Sequence, residues 1–368
     1  MRSRLAVAAL AVLSLAPAVA TAQGGLLLQG LIDLEGWSTD SMSNLLTRNN
    51  GKPGGVFRAQ LWSAVEPIRG VFLFAAGEAE GGNAREFGEQ YTESRIEQAG
   101  LRWARHPAFV LNAGKMFHPV GVFAPRNFST RNPLIGPPDG YTSVYPLGLM
   151  ASGEVGIVDY RAGAVSLPLT HEGYEPHADP WPRPVVGFGV TPMTGFRVGG
   201  SASVGPYLND QFTSAQLAGR SWQSYHQRQI AGDVEYGVEH FDFRGEVAYS
   251  SYDVPNASDI SGQTAYIEGR YTVTPRVFVA ARGEVNDYPF IRANATTWTA
   301  RRTDFRDWEA GFGYRATEST LLKMTMRGDR WTVPPGAGGF IRPGGQAVAV
   351  QLSQSFDVMD WVDALRGR

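Results

Sequence analysis

The sequence predicts an all-β fold, an antiparallel transmembrane β-barrel of sixteen strands within a range of fourteen to eighteen. Three observations predict it. Apolar and polar residues alternate with a period of two in many segments, short and long connections follow one another in turn, and aromatic residues gather near the segment ends. Helical spacing is not sustained in the mature chain before its last dozen residues.

The chain begins with the pattern of an export signal. Two arginines precede an apolar stretch from Leu5 to Leu15, and small residues flank the expected cleavage site between Ala22 and Gln23. The apolar stretch is too short to cross a bilayer. We therefore expect residues 1–22 to be removed on export.

Composition narrows the class of protein. The chain has no cysteine, so neither disulfides nor a lipid-modified cysteine hold it. A formal net charge of −2 gives no sign of a nucleic-acid partner. The 44 glycines, together with 9 Trp, 14 Tyr and 19 Phe, suit a β-rich fold with many turns.

The strand pattern is clearest in residues 238–254. One face carries apolar side chains and the other carries polar or charged ones: Phe241, Phe243, Val247 and Tyr249 against Asp242, Arg244, Glu246 and Ser250. The same alternation recurs in residues 264–273, 277–286, 321–329 and 347–356. Each segment approaches the ~9–11 residues of a membrane-crossing strand. Alternation alone fits a soluble sandwich as well as a barrel whose apolar face meets lipid.

The connections favour the barrel. Seven short turns are predicted at residues 66–70, 105–107, 159–163, 191–195, 237–240, 272–276 and 315–319. Eight longer connections are predicted at residues 38–54, 81–90, 118–148, 171–183, 208–222, 252–262, 286–304 and 333–344. Together they join sixteen strands within residues 23–356, with short turns at one end and long loops at the other, as in bacterial outer-membrane barrels.

Aromatic residues on the apolar face agree with two interfacial belts. Those near predicted short turns are Trp103, Tyr236, Phe241, Tyr271, Tyr314 and Phe356, and those near long loops are Tyr249 and Trp308. Two regions depart from the pattern. Residues 90–103 place Glu93, Arg95 and Glu97 on the parity that Leu101 later uses, and residues 148–190 contain several prolines.

At residues 114–121, the segment GKMFHPVG resembles the strand-ending GKF-x-x-P-F-G pattern of phosphate-selective-type porins, from which Met116 and Val120 depart. With the architecture above, the mature chain resembles the porin superfamily of Gram-negative outer membranes. The resemblance implies a channel for passive diffusion, a third long loop that folds into the barrel, and a homotrimer. It also implies an outer-membrane location, with lipid and lipopolysaccharide as surroundings. No solute preference follows from it.

The longest connection, residues 118–148, occupies the third long-loop position and contains six prolines, which favour a defined path. Arg126 and Arg131 are the predicted constriction residues. Alternatively, both arginines anchor the loop to the wall through salt bridges. The predicted pore-lining residues are Arg58, Arg197, Asp242, Arg244, Glu246, Glu268, Arg270, Arg282, Glu284 and Arg327.

The sequence thus predicts a loop-constricted channel for small hydrophilic solutes, without enzymatic activity or cofactor. The alternative is a closed barrel with a structural or partner-docking role. His171 and His177 share a loop with acidic residues, but their spacing matches no metal motif, so no metal site is predicted. Residues 357–368 form an extension whose apolar residues follow helical spacing.

Overall fold

The computed structural model describes residues 25–40, 51–84, 90–141, 144–169, 178–294, 297–332 and 344–360. These residues form one closed barrel of sixteen antiparallel strands. The predicted export signal lies outside the described residues, as do His171 and His177, for which no metal site is predicted. Among the described residues, no helix is long and apolar enough to cross a membrane.

The first eight strands are β1 (Leu27–Thr39), β2 (Gly54–Ile68), β3 (Val71–Gly82), β4 (Tyr91–His106), β5 (Phe109–Lys115), β6 (Leu147–Val155), β7 (Val158–Val165) and β8 (Arg183–Met193). The second eight are β9 (Phe196–Pro206), β10 (His226–Val238), β11 (Phe241–Tyr252), β12 (Ile260–Thr274), β13 (Val277–Ala293), β14 (Trp298–Arg315), β15 (Thr320–Thr332) and β16 (Gly344–Asp357). A helical turn, residues 358–360, follows β16, and the rest of the predicted helical extension lies outside the described residues.

Each strand pairs with its neighbours in the sequence, and β1 pairs with β16 to close the cylinder. In that closing pair Leu34 lies opposite Leu352. Among the described strands, closure leaves none as an open edge of the sheet, which a membrane-spanning sheet requires because lipid offers no hydrogen bonds. The predicted strand number is therefore confirmed.

The barrel has the inverse polarity of a soluble protein. On the outer face Ile230, Val247 and Ile267 are 64%, 48% and 54% exposed, whereas Glu246 and Glu268 on the inner face are each 3% exposed. Apolar side chains that face outward around a closed sheet match contact with hydrocarbon. The predicted alternation of residues 238–254 is confirmed, with its apolar face outward.

Six of the seven predicted short turns are present, at residues 69–70, 107–108, 194–195, 239–240, 275–276 and 316–319. The turn predicted at residues 159–163 is wrong: those residues lie within β7, and the chain turns earlier, at residues 156–157, where Gly156 has a φ of +61°. Seven of the eight predicted long connections are also present, at residues 40–53, 83–90, 116–146, 166–182, 207–225, 253–259 and 333–343. The predicted long connection at residues 286–304 is wrong. There β13 and β14 continue as a tall hairpin, and only residues 294–297 connect them.

A bulge explains the irregular pattern of residues 90–103. Ala76 and Gly77 are consecutive in β3, yet their partners in β4 are two residues apart, which makes Glu97 an extra residue. One extra residue exchanges the two faces of a strand. Arg95 therefore joins the inner-face carboxylates before the bulge, and Leu101 is exposed on the outer face after it.

The predicted aromatic belts lie on the outer face. Phe241, Tyr271 and Tyr314 are exposed near the short turns, and Tyr249 and Trp308 are exposed near the long connections. The two ends of the barrel wall thus carry amphipathic rings where water, headgroups and hydrocarbon meet.

The buried apolar clusters lie inside the barrel and at its long-loop end. The connection 207–225 packs Tyr207 and Leu217 against Tyr252 and Trp298 at the strand ends. Smaller clusters form where residues 116–146 meet the inner wall. The inner space is therefore organised mainly by that one connection, which we call the inward loop.

Candidate pore and its inward loop

The inward loop, residues 116–146, starts as a continuation of the hairpin between β5 and β6. The Met116 N–H donates to the Pro146 carbonyl at 3.0 Å, and the His118 N–H donates to the Val144 carbonyl at 3.2 Å. These two hydrogen bonds hold the arms together at the base of the loop. Beyond them the chain leaves the hairpin.

His118 fixes the base as a neutral ring. Its Nδ1 accepts from the Val120 N–H at 3.2 Å, so Nε2 carries the proton and donates to the Leu167 carbonyl at 3.0 Å. Burial, together with the charges of Arg183 and Arg161, lowers the pKa of His118 to about 3. The imidazole is therefore a structural clamp at neutral pH.

The outgoing arm then meets the inner wall. The Gly121 N–H donates to Ser201 Oγ at 2.9 Å on β9, and the Val122 N–H donates to Glu246 Oε2 at 3.1 Å on β11. Gly121 has a φ of +75°, and a Cβ there would collide with the Glu246 carboxylate. Only glycine allows the backbone to turn this close to the wall.

Arg126 continues the attachment from a short 3₁₀ turn, Ala124–Arg126. Its guanidinium forms an ion pair with Glu268 of β12, and only 9% of the residue is exposed. Burial opposes a charged guanidinium, but the neighbouring Glu268 raises the pKa of Arg126 overall. This geometry matches the anchoring alternative for Arg126.

Glu268 belongs to a larger buried network. Arg282 of β13 donates to Glu284 at 2.8 Å and Glu309 at 2.8 Å, and lies 3.4 Å from Glu268, with its side chain fully enclosed. Enclosed charges are stable only when they are paired and hydrogen-bonded. The network therefore gives the wall a rigid polar surface against which the loop rests.

The tip of the loop is attached farther around the barrel, to β15 and β1. Lys323 of β15 donates from Nζ to the carbonyls of Ser129, Asn132 and Leu134 at 2.9, 3.1 and 2.7 Å. The Ser129 hydroxyl in turn donates to Asp33 of β1. Because Lys323 is only 3% exposed, its ammonium group is committed to the loop.

The returning arm binds β13, β14 and β15. The Ile135 N–H donates to Glu309 Oε1 at 3.0 Å, and the Asp139 N–H donates to Glu284 Oε2 at 2.8 Å. The Asp139 carboxylate forms an ion pair with Arg327. Predicted lumenal residues thus hold the loop on both of its arms.

Aromatic contacts fill the spaces between these polar attachments. Phe123 and Tyr141, on opposite arms, have ring centroids 6.2 Å apart, and both contact Tyr266 of β12. Phe128 packs edge-on against Trp62 of β2, with centroids 5.1 Å apart. The loop therefore presses on widely separated parts of the wall.

Water-exposed guanidinium groups lie where β2 and β4 form the wall. Arg58 has 25% of its side chain exposed and lies 2.6 Å from Glu80 and 3.2 Å from Glu35. Arg95 has 49% exposed and lies 2.7 Å from Glu78. These arginines are thus more exposed to water than the wall carboxylates with which they pair.

Arg131 is exposed as well, unlike Arg126. It donates to the Pro125 carbonyl at 3.3 Å, and its guanidinium lies 5.9 Å from the centroid of the Phe128 ring. The two predicted constriction arginines therefore occupy different environments, one in the wall contact and one in water.

The remaining predicted lumenal residues form ion pairs on the inner face. Arg244 lies 3.1 Å from Asp242, Arg270 lies 3.4 Å from Asp242, and Arg197 lies 2.8 Å from Asp159. All ten residues predicted to line the pore thus lie in inner-face ion pairs or loop contacts.

Sequence reasoning missed several inner-face residues that the structure brings into these networks: Asp33, Glu35, Glu78, Glu80, Asp139, Asp159, Asp233, Asp307, Glu309 and Lys323. Strand parity could have found Asp307 and Glu309, because they share the polar face of β14. No local signal links Asp139 to Arg327. Among the described residues, no group of three or more acidic or histidine side chains is arranged to hold a metal ion.

Comparisons with known proteins place the fold. No family model matches the sequence, and no curated protein matches it. Three solved structures illustrate the structural likeness. The outer membrane channel DcaP of Acinetobacter baumannii gives a TM-score of 0.64 at 13% identity, over 90% of this chain and 97% of that one.

An anion-selective porin from Comamonas acidovorans gives a TM-score of 0.58 at 10% identity, over 91% of this chain and 100% of that one. The trimer form of OmpT, an outer membrane protein of Vibrio cholerae, gives a TM-score of 0.53 at 11% identity, over 90% of this chain and 99% of that one. At these identities the likeness concerns the fold. The chain has the sixteen-stranded barrel of outer-membrane porins and channels, as the sequence predicted.

Proposed function

We propose that this chain is an outer-membrane channel through which small hydrophilic solutes diffuse passively, and that the inward loop narrows it. One observation carries the proposal. Residues 116–146 are held inside the barrel by inner-face groups on opposite sides of the cylinder, from Ser201 of β9 to Asp33 of β1, which are eight strand positions apart. A segment attached in this way reduces the free cross-section.

The proposal needs neither a cofactor nor a catalytic group. Diffusion down a gradient supplies the driving force, and the barrel supplies a polar path through an apolar bilayer. The absence of enzymatic activity remains a prediction. The fold shared with DcaP and the Comamonas porin supports the channel, and the OmpT trimer form supports a homotrimer.

We assign different roles to the two loop arginines. Arg126 anchors the loop through Glu268, and Arg131 lines the passage with an exposed guanidinium. On the wall, Arg58 is partly exposed and Arg95 is exposed, each beside carboxylates of the inner face. Solutes therefore pass a surface of mixed charge, which sorts them by charge and polarity.

Planar-bilayer recording of the purified full chain tests the function. The proposal expects stable single-channel currents. Persistent silence from protein with a barrel-like circular dichroism spectrum and heat-modifiable gel mobility would contradict it and favour the closed structural or partner-docking barrel.

A loop-shortened variant tests the constriction. Because Phe123 and Tyr141 lie on opposite arms with their rings in contact, a Gly-Ser linker long enough to span the two backbones can join these positions and replace residues 124–140. We expect the variant to keep the barrel and to conduct at least ~2-fold more current. A matched deletion within the external connection 207–225 should leave conductance unchanged. An unaltered current in the loop-shortened variant would remove the constriction.

A further inference from the structure

We propose that the outer face of β14, β15 and β16 carries a binding site for a phosphate group of lipopolysaccharide. The site lies on the lipid-facing side of the wall, outside the lumen. It depends on the barrel spanning the membrane and not on channel activity. Eight residues line a groove of about 330 Å³ there: Arg306, Asp307, Trp308, Gly328, Asp329, Arg330, Gly345 and Gln346.

The two arginines form an unusual pair. Arg306 of β14 and Arg330 of β15 are directly opposite each other in the sheet register, and both are exposed. Like charges directly opposite on one face of a sheet destabilise the strand pairing. A bound anion between them would convert this repulsion into two charge-assisted contacts.

The neighbouring acidic residues do not neutralise the pair. Asp307 and Asp329 are buried on the opposite, lumenal face, where Asp307 forms an ion pair with Arg327, and the Asp40 carboxylate accepts the Gln346 N–H at 2.6 Å. Asp304 is exposed on the outer face two residues before Arg306, but it lies opposite Asp287 and Thr332 rather than opposite either arginine. Within the described part of the chain, no ion pair involves Arg306 or Arg330. The adjoining connection, residues 333–343, contains no acidic residue in its sequence.

The height of the groove identifies the kind of anion. Trp308 lies two residues beyond Arg306 along β14, toward the middle of the barrel, and is 47% exposed. Phe312 and Met326, which also face outward and lie still closer to the middle, are 47% and 48% exposed. Trp308 therefore marks the external membrane interface, where lipid phosphates lie. Paired guanidinium forks suit phosphate, because each can donate two parallel hydrogen bonds.

The surface beside the arginines supports a lipid rather than a free ion. Gly328 lies opposite Trp308, and a Cβ at this position would lie 2.6 Å from the indole Nε1. The indole ring therefore packs over Gly328 and forms an apolar wall of the groove. The exposed apolar surface closer to the barrel middle can contact the hydrocarbon part of a lipid. Inorganic phosphate has no apolar group that could make this contact.

The test uses the full chain in detergent, titrated with bisphosphorylated lipid A and with chemically dephosphorylated lipid A. We expect the double variant R306Q/R330Q to bind bisphosphorylated lipid A at least ~10-fold more weakly. Wild-type protein should prefer the phosphorylated lipid by a similar factor. The matched control is Arg228→Gln, an exposed outer-face arginine at the long-loop end of β10 that pairs with Asp253; it should bind like wild type.

Two outcomes would overturn the site. Equal binding of both lipids, or undiminished binding by R306Q/R330Q, would show that the arginines do not hold a phosphate. Full displacement of lipid A by inorganic phosphate at equal affinity would identify a free-anion site instead. Should the double variant fold poorly, Arg330→Gln alone gives the same comparison. Conductance should be unchanged in these variants, so failure of the lipid site and failure of the channel are read separately.

Discussion

Replacement of Lys323 by methionine tests whether the loop tip is held as the structure indicates. Methionine keeps the length and the unbranched shape of the side chain but removes the ammonium group. Lys323→Met therefore deletes three hydrogen bonds to the carbonyls of Ser129, Asn132 and Leu134 while leaving the barrel register untouched.

The magnitude follows from these contacts. A hydrogen bond to a charged group is worth roughly 1.5–3 kcal/mol, and each buried carbonyl left without a donor costs about 1–3 kcal/mol. Relief of the desolvation of the buried ammonium offsets part of the loss. We expect a net destabilisation of the docked loop tip of ~3 kcal/mol, which corresponds to roughly a 100-fold larger undocked population.

Trypsin reports this population, because Arg126 and Arg131 are cleavage sites within the loop. Cleavage of Lys323→Met should be about 100-fold faster than that of wild type if it proceeds from the undocked state. Single-channel records should show added current noise. Lys115→Met is the matched control, since half-buried Lys115 gives one hydrogen bond, to the Ile96 carbonyl at 2.6 Å, and none to the loop tip.

Unchanged cleavage and unchanged noise in a folded Lys323→Met barrel would refute the reasoning. Lys323 would then contribute nothing to loop docking, and other contacts would hold the tip. Equal acceleration in Lys115→Met would indicate general loosening of the barrel rather than release of the loop.

Two further predictions concern the loop. Arg131→Glu should shift the zero-current potential in a salt gradient toward cation preference without increasing tryptic cleavage, whereas Arg126→Glu should increase cleavage because it places a carboxylate against Glu268; equal behaviour of the two variants would contradict their separate roles. Burial near Arg161 and Arg183 holds the pKa of His118 at about 3, below its ordinary 6.5. The stability of the docked loop is therefore greatest above pH 6.5 and falls as the pH drops toward 3. The loss should reach ~2.7 kcal/mol at pH 4.5, seen as faster exchange of loop amides at acid pH, and His118→Asn should flatten this dependence.

The strand pattern could be predicted because hydrocarbon and water impose opposite demands on alternate residues. That constraint ends at the membrane surface. Above it, outward positions of β13 and β14 become polar, as at Asp287, Arg302 and Asp304, so the tall hairpin was mistaken for a loop. The bulge at Glu97 was visible as a broken alternation, but the sequence did not indicate which residue was extra.

The lumenal charges were predictable by face, and their partners were not. Arg327 and Asp139 lie 188 positions apart, and no periodicity relates them. Even the environment of Arg126 depends on where the loop meets the wall. Parity therefore identifies which side chains face inward, whereas the path of residues 116–146 decides which of them remain in contact with water.

The attachment of the loop tip also has a consequence for biogenesis. Ser129 contacts both Asp33 near the start of the mature chain and Lys323 near its end, beside the seam where the first and last strands join. A nascent barrel whose seam is still open cannot offer both partners at once. Seating of the tip is therefore a late event in assembly, because only a completed cylinder brings Asp33 and Lys323 close enough to hold it.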